Sequence, residues 1–421
     1  MENATEYLDS IQQALQSLSS AADKCQATYT QQPGADVHSL CAREAARNAL
    51  VLGAHRFLQT AQGPVDAART CVGQTAHLGS VRALLEAGVF DKLPADGTPQ
   101  TPEELAQKLG VDESLLGRLL RNAAVYGPLE ATEEGTYRHT RFSLAYRRPE
   151  IGGIFRFHMD EHVPALLKLH EFLRATAWRT PASQSHNPYT HAHSSTGRTM
   201  FAVLAAHPQR LQAFNDGMML QAATASCMID LFPFREELSV GTDEASVDTP
   251  QRVLAVDIGG GTGKAIARIR QLAGALPGRY ILQDQAHVVN GLDQSAAYLE
   301  GVESMAHDFF TPQPVVGARV YLLRRCLHNW PEEDVVKILG NTAVAMGAHS
   351  RLLLEEIIVP ERGVGVEEGW MDLIMMSLGA KQRTLREWRG VLGRAGMEVV
   401  RIYQEDGVCQ ALIEARLRVA E

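Results

Sequence analysis

The sequence predicts an α/β protein with a Rossmann-like, mostly parallel seven-stranded sheet in its C-terminal part and a helical, winged-helix-containing N-terminal part. From residue 249 onward, apolar strand-like runs alternate with helical segments, which is typical of a parallel sheet covered by helices. Before that point apolar residues recur at helical spacing, and residues 81–140 follow the order helix, turn, helix, hairpin. These two patterns fix the expected fold class.

The N-terminal elements are predicted by their start and stop signals. Residues 1–60 form two or three helices broken at QQPGADV, residues 31–37. Thr101, Pro102 and Glu104 form a capping box with proline at the first helical position. The next helix places a row of apolar residues on one face, and TEEGTYRHT forms a hairpin at Gly135; the row is Leu115, Leu116, Leu119, Leu120 and Ala123.

Seven runs are predicted as the strands of the C-terminal sheet. In order they are RVLAVDI, RYILQ, VESMA, ARVYLLR, SRLLLEEIIV, MEVVRIY and CQALIEA. The polar stretch SVGTDEASVDTPQ precedes the first of them. It marks the domain boundary, so we expect a helical and winged-helix domain at 1–160, a helical linker region contributing to a substrate pocket at 161–248, and a ligand-binding Rossmann-like domain at 249–421.

Composition excludes several classes of function. With 45% apolar and 21% charged residues the chain resembles ordinary globular proteins, and its net charge of −9 supplies no basic stripe for nucleic acid. The second helix of the winged-helix segment, which would be the DNA recognition helix, offers only Arg118, Arg121 and Asn122 for contacts with DNA. We therefore interpret the segment as a packing module. We expect no membrane segment, reduced thiols and a cytoplasmic location, because the N-terminus lacks a signal pattern and the six cysteines are scattered, at Cys25, Cys41, Cys71, Cys227, Cys326 and Cys409.

The most informative segment is VLAVDIGGGTGKAIARI, a buried strand ending in Asp257, a glycine turn and a helix. The dinucleotide fingerprint fails there, because Lys264 or Ile266 stands where its third glycine is required. The remaining G-x-G-x-G pattern suits a nucleoside with an amino-acid tail better than a pyrophosphate; its glycines are Gly259, Gly261 and Gly263.

Two acidic residues complete the expected nucleoside pocket. Asp284 ends the second strand, where it can accept the ribose hydroxyls, and Asp308 follows the third strand, where it can meet the adenine amino group. A single aspartate is more often a helix cap than a ligand contact. The order and spacing of the three strand ends carry the interpretation.

The candidate base is His328, just beyond the fourth strand, at the edge where open parallel sheets bind their ligands. By itself this histidine could be a buried structural residue. The next strand supplies Glu355 and Glu356, and since strand residues alternate faces only one of them can point toward the site. A carboxylate beside the imidazole would fix its tautomer and stabilise its protonated form.

The C-terminal portion resembles the plant and fungal caffeate-type S-adenosylmethionine-dependent O-methyltransferases, and the likeness extends loosely over nearly the whole chain. It rests on VDIGGGTG, AHDFF, LHNWPEED, LLLEEIIVP, MDLIMM, GAKQRT and FNDGM, in matching order. The resemblance implies a class I methyltransferase domain, S-adenosylmethionine as cofactor, and an N-terminal domain that pairs two subunits into a homodimer.

Matched to the family motifs, His328 is the general base and Glu356 the carboxylate that orients it. The cofactor contacts implied are Gly259, Asp284, Asp308, Phe309 and Arg324. Met218 and Met375 fall where the family clamps an aromatic acceptor, and Trp370 would also suit a flat apolar molecule. The sequence departs from the family at Gln382, where a second glutamate usually flanks the histidine, and at Asn329, where plant members commonly have aspartate.

The favoured hypothesis is methyl transfer to a hydroxyl of a small aromatic or polyketide-like metabolite. Gln382 gives weight to an alternative, a methyltransferase-like enzyme that catalyses a pericyclic or dehydration step. HMDEH, residues 158–162, matches an inverted zinc-protease motif, but no third ligand is evident and we expect no metal. A regulatory role for the winged helix is disfavoured by its weak basic patch.

Overall fold

A computed structural model describes residues 4–224, 228–239, 251–293 and 295–418. Cys227 and most of the predicted boundary stretch, residues 240–250, lie outside the described residues, so the domain limits stay a prediction. Within the described residues the chain divides into two compact units. The first comprises Met1–Leu18, Gly53–Trp178 and Pro188–Ala225, and the second Ser19–Leu52, Arg179–Asn187 and Ser226–Glu421.

The α-helices of the N-terminal half precede the sheet. In chain order they are α1 (Ala4–Gln31), α2 (Val37–Glu86), α3 (Val89–Lys92), α4 (Pro102–Leu109), α5 (Glu113–Tyr126), α6 (Arg141–Ala145), α7 (Pro149–Phe157), α8 (Val163–Leu167), α9 (Leu169–Ala175), α10 (Pro188–Ala192), α11 (Met200–Ala205), α12 (Pro208–Thr224) and α13 (Phe234–Ser239). A π-helical turn, His158–His162, joins α7 to α8, and a 3₁₀ turn, Met228–Leu231, precedes α13. Helix α2 is interrupted at Gly63 (φ 67°, ψ 173°), and Pro64 follows.

The predicted winged-helix order is present in the first unit. Thr101 and Glu104 form the reciprocal capping box at the start of α4. The hairpin pairs β1 (Leu129–Ala131) with β2 (Tyr137–His139), and Gly135 has the positive φ, 74°, that its turn needs. One expectation is wrong: Leu115 is 51% exposed, and the buried residues of α5 are Leu116, Gly117, Leu120 and Ala123.

Helices α7 and α12 pack closely in the first unit because glycines stand at their contact. A Cβ on Gly153 would lie 2.5 Å from the Cβ of Asp216, and one on Gly217 would lie 2.9 Å from the Cα of Ile154. Gly217 belongs to the FNDGM motif. Its lack of a side chain therefore sets how closely these two helices approach.

The second unit contains the seven-stranded sheet. Its strands are β3 (Val253–Ile258), β4 (Arg279–Asp284), β5 (Val302–Ala306), β6 (Val320–Arg324), β7 (Arg351–Ile357), β8 (Met397–Tyr403) and β9 (Gln410–Leu417). The spatial order is β5-β4-β3-β6-β7-β9-β8. Strands β3 to β7 are parallel and β9 is antiparallel to both neighbours, which confirms the predicted mostly parallel sheet.

Helices and apolar side chains cover both faces of this sheet. The remaining helices are α14 (Lys264–Ala273), α15 (Ala286–Asn290), α16 (Glu332–Ala343), α17 (Val366–Ser377) and α18 (Leu385–Arg394). One core cluster joins Val256 and Tyr321 to Trp388, and the other joins Leu254 and Leu282 to Ile266. The covered sheet brings the turns after β3, β4, β6 and β7 to one carboxyl edge. None of the described helices has the length and apolarity needed to cross a bilayer.

Candidate active site

The predicted base lies in a turn that a glutamate holds from the neighbouring strand. After β6 the chain turns at Arg325 (φ 48°) and forms a short 3₁₀ helix that carries His328. One carboxylate oxygen of Glu356 accepts hydrogen bonds from the backbone N–H groups of Cys326 (3.0 Å) and Leu327 (2.9 Å). The other lies 2.7 Å from Nδ1 of His328. The histidine is 8% exposed and the glutamate is fully buried.

These contacts keep Glu356 ionised. Burial alone would raise its pKa, but attraction to His328 and the hydrogen bonds from the turn outweigh burial, and the pKa is lowered. An ionised carboxylate accepts hydrogen bonds and donates none, so the proton on the neutral imidazole resides on Nδ1. The pairing therefore leaves Nε2 as the proton acceptor, the arrangement that a general base requires.

A second side chain that sequence reasoning missed holds the same turn. Arg383 is fully buried, and its guanidinium donates to the carbonyl oxygens of Leu327 (3.2 Å) and Trp330 (2.9 Å). These two carbonyls flank His328. The guanidinium also lies 5.2 Å from the ring centroid of Trp388. The GAKQRT motif contains this arginine, but a local sequence pattern does not predict its contact with a turn more than fifty residues away.

The glycine turn has the backbone that its pattern predicts. Gly259, Gly261 and Gly263 all have positive φ, at 70°, 56° and 79°. The backbone N–H of Gly259 donates to the Gln283 carbonyl at 2.8 Å, and the N–H of Gly261 donates to the Asp284 carboxylate at 2.8 Å. This hydrogen bond connects Asp284, at the end of β4, with the glycine turn after β3. The contact is expected, because both strands end at the same edge of the sheet.

Asp257 lies beneath this turn. It is fully buried, and a Cβ on Gly260 would lie 2.5 Å from its carboxylate, so that position accepts only glycine without a shift. Burial raises the pKa of Asp257 to about 7, and the charge of Arg324 offsets this only in part. The loop therefore rests on a carboxyl group poised between its neutral and charged forms.

Phe309 connects the glycine turn with the turn that carries the histidine. A Cβ built on Gly259 would lie 3.1 Å from the sulfur of Cys326 and 3.8 Å from the ring of Phe309, and this ring packs edge-on against Trp330 with centroids 5.8 Å apart. Asp308 is exposed, and its side chain accepts a hydrogen bond from the backbone of Phe310 at 3.0 Å. The capping contact leaves its second oxygen available to a ligand.

Strand alternation separates the two glutamates as expected. Glu355 stands opposite Arg324 in the register of β7 with β6, and the two form an ion pair at 3.1 Å. Glu355 also accepts a 2.5 Å hydrogen bond from Gln410. Glu356 alone of the two reaches His328.

Two of the residues predicted to bind the acceptor, Trp370 and Met375, lie on one helix and point in different directions. Met375 is buried on α17, whereas Trp370 is 41% exposed on the same helix, about 140° around its axis at 3.6 residues per turn. Trp370 lines a cavity of about 640 Å³ together with Leu52 of α2 and Ile358 after β7. Met218 is partly buried on α12 of the first unit.

The two departures from the family motifs have different surroundings. The Asn329 amide donates to the Cys326 carbonyl at 3.2 Å and so closes its own turn. Gln382 is 4% exposed, and its backbone N–H donates to Asp372 at 2.9 Å. Neither polar atom of the Gln382 side-chain amide has a hydrogen-bond partner among the described residues.

The HMDEH segment lies in the first unit, where its glutamate is engaged by an arginine. Glu161 accepts two hydrogen bonds from Arg210, both at 2.6 Å. Burial lowers the pKa of His158 to about 4 and that of His162 to about 3. Across residues 4–224, 228–239, 251–293 and 295–418, no group of three or more His, Cys, Asp or Glu side chains could hold a metal ion. This carboxylate is a buried ion-pair partner.

Comparison with known proteins decides the family. The family model of the O-methyltransferase domain matches residues 179–398, more than half of the chain, and that of the O-methyltransferase dimerisation domain matches residues 76–148. The chain belongs to the O-methyltransferase family. It is a member that depends on S-adenosylmethionine and carries a dimerisation domain.

Relatives of this O-methyltransferase cover nearly its whole length. The O-methyltransferase desB of Aspergillus desertorum is 66% identical, over 99% of this chain and 100% of desB. The crystal structure of OxaC in complex with S-adenosylhomocysteine (SAH) and oxaline is 32% identical, with a TM-score of 0.83, over 98% of this chain and 100% of that one. A structure described as a pericyclic reaction enzyme is 29% identical, with a TM-score of 0.79, over 96% and 100%.

Proposed function

We propose that the protein transfers a methyl group from S-adenosylmethionine to a hydroxyl of a small aromatic or polyketide-like metabolite, with His328 as the general base. One observation carries the proposal: the 2.7 Å contact between Glu356 and Nδ1 of His328, which leaves Nε2 as the proton acceptor. The imidazole lies at the carboxyl edge of the sheet, next to the glycine turn, where a nucleoside cofactor would bind.

The residues around the glycine turn fit the cofactor. Gly259 and Gly261 have positive φ, and the space beside Gly261 is open to a ligand. Asp284 offers a carboxylate to the ribose, and Asp308 offers its second oxygen to the adenine. Phe309 and Arg324 complete the set. When bound, S-adenosylmethionine supplies a methyl group activated by its sulfonium.

The chain's own part is to orient the acceptor and remove its proton. Positioning accounts for the larger share, with effective molarities up to roughly 10⁵ M or more, and general-base assistance adds roughly 10²- to 10⁴-fold. Glu356 fixes the imidazole so that Nε2 takes the hydroxyl proton, and it then stabilises the imidazolium. The Met375 side chain and the Met218 side chain are proposed to contact the ring of the acceptor, with Trp370 at an outer position.

The test is His328→Ala, with the exposed His349→Ala as the control. We expect the first variant to lose methyl transfer by at least 10²-fold while calorimetry shows unchanged binding of SAH, and the second to behave as wild type. Turnover that survives in His328→Ala would end the assignment of the base.

The alternative function is a pericyclic or dehydration step. It is favoured by the neutral Gln382 at the position of the family's second glutamate, in a chain that is similar in structure to a pericyclic reaction enzyme. In that case the bound sulfonium would act as an electrostatic stabiliser of a rearrangement. SAH accumulates with acceptor in the first function and does not in the second.

The assembly and its location complete the proposal. We propose a homodimer formed through the N-terminal part, 1–160, with 161–248 adding to the substrate pocket and 249–421 binding the cofactor, in the cytoplasm. Light scattering of the purified protein tests the dimer, and a monomer at micromolar concentration would contradict it.

A further inference from the structure

Three glutamine side chains are buried among the described residues, and their hydrogen bonding differs. The amides of Gln283 and Gln313 bond each other reciprocally, with 2.8 Å for each of the two N–H to oxygen contacts. The amide of Gln382 has no partner for either its nitrogen or its oxygen. Leaving such a group unsatisfied costs about 1–3 kcal/mol for each donor or acceptor, so a buried amide without protein partners gains by bonding a ligand.

The backbone around Gln382 is held by hydrogen bonds to neighbouring segments. Its N–H is bonded to Asp372, and the next residue, Arg383, pairs with Ile358 beyond the end of β7. The guanidinium of Arg383 reaches the carbonyls on both sides of His328. Gln382 therefore lies within the length of one arginine side chain of the turn that carries the proposed base.

The carboxylate that holds this turn makes no hydrogen bond with the amide of Gln382. Both oxygens of Glu356 are already engaged, one by two backbone N–H groups and the other by His328. A primary amide offers two N–H donors and a carbonyl acceptor and carries no charge. The donors remain for an oxygen atom of a ligand.

We infer that Gln382 determines substrate specificity by donating a hydrogen bond to a carbonyl oxygen conjugated to the reacting hydroxyl, so that the acceptor is a vinylogous or aryl hydroxycarbonyl compound. The inference rests on the proposed function. When Nε2 of His328 removes the hydroxyl proton, negative charge spreads through the conjugated system to that carbonyl. A donor placed there binds more strongly as the charge develops, and a neutral amide does so without repelling it.

The stability of variants distinguishes a ligand contact from a structural role for Gln382. A structural role would make replacement of Gln382 destabilising, whereas a ligand contact would not. Replacing an unsatisfied buried amide by an apolar side chain of similar size is neutral or stabilising. Gln382→Met should therefore keep or raise the melting temperature. The matched control Gln313→Met removes one partner of a satisfied pair and should lower it.

The experiment measures binding of two acceptors to the full-length protein saturated with SAH, which permits no turnover. The probes are 4-hydroxy-6-methyl-2-pyranone, an enol conjugated to a carbonyl, and 3,5-dimethylphenol, which has no carbonyl. The wild type should bind the pyranone more tightly. Both Gln382→Met and Gln382→Glu, which lacks the donor, should weaken pyranone binding about 10- to 100-fold and change phenol binding less than about threefold.

Several results would overturn the inference: no measurable pyranone binding by the wild type, equal affinity for the two probes, a preference that survives in Gln382→Glu, or a Gln382→Met melting temperature that falls as in Gln313→Met. Methyl transfer is assayed separately with S-adenosylmethionine. The expected binding pattern without any methylated product would contradict the proposed function and support the contact.

Discussion

Replacing Glu356 by glutamine should disable the histidine without unfolding the protein. The carboxylate accepts from two backbone N–H groups on one oxygen and meets His328 on the other. A glutamine amide can satisfy only one side. If its oxygen faces the backbone, its nitrogen faces Nδ1, and the imidazole must move its proton to Nε2 to accept there. The opposite orientation would lose two hydrogen bonds, so the first should prevail.

The size of both effects follows from these contacts. Loss of the charged hydrogen bond to the ring costs about 1.5–3 kcal/mol of stability, well within the usual margin of a folded domain. An imidazole with its proton on Nε2 cannot accept one from the acceptor hydroxyl. The variant should therefore lose the general-base share, about 10²- to 10⁴-fold in kcat.

The assay is SAH formation at saturating cofactor and acceptor, with cofactor affinity measured by calorimetry. Glu355→Gln is the control, because Glu355 directly precedes Glu356 and is equally buried, but it contacts Arg324 and Gln410 and not His328. It should alter cofactor affinity more than kcat. A Glu356→Gln variant with kcat within threefold of wild type would refute the reasoning.

Three further predictions concern the same edge of the sheet. Arg383→Met leaves two turn carbonyls unpaired and should cost about 3 kcal/mol in denaturant unfolding, whereas a cost under 1 would contradict its anchoring role. Asp284→Ala removes the acceptor of the Gly261 N–H and should weaken SAH binding about 10- to 100-fold by calorimetry; unchanged affinity would contradict the ribose contact. Burial raises the pKa of Asp257 from 3.8 to about 7, so the stability of the protein should fall as the pH rises from about 4 to about 7. Asp257→Asn should make the melting temperature depend less on pH in this range. A pH dependence equal to that of the wild type would contradict the raised pKa.

The strands and the main site pairings could be predicted because their signals are local. The seven runs are the strands of the sheet, and β3, β4, β6 and β7 are parallel strands buried along nearly their whole length, where nearly continuous apolar sequence is required. The capping box at Thr101 and the glycine turn at Gly259 depend on neighbouring residues alone. Alternation along one strand and the common edge of parallel strands predicted that one of Glu355 and Glu356 meets His328, and the resemblance to the family motif assigned Glu356.

What could not be predicted depends on contacts distant in sequence. Arg383 acts on a turn from which it is far removed along the chain. The Nε2 nitrogen of His193 donates a 2.9 Å hydrogen bond to the carbonyl oxygen of Glu161, 32 residues earlier in the chain, and no local pattern indicates this contact. Trp370 and Met375 were grouped by residue type, although helical spacing already separates their directions. The empty hydrogen-bonding capacity of Gln382 required three-dimensional burial to be seen.

A crystal structure with SAH and an acceptor bound tests the central claim most directly. The account predicts the adenosyl group on the turn Gly259–Gly263, its ribose at Asp284, and the acceptor hydroxyl within hydrogen-bond distance of Nε2 of His328. A cofactor bound elsewhere, or an imidazole directed away from the acceptor, would contradict it.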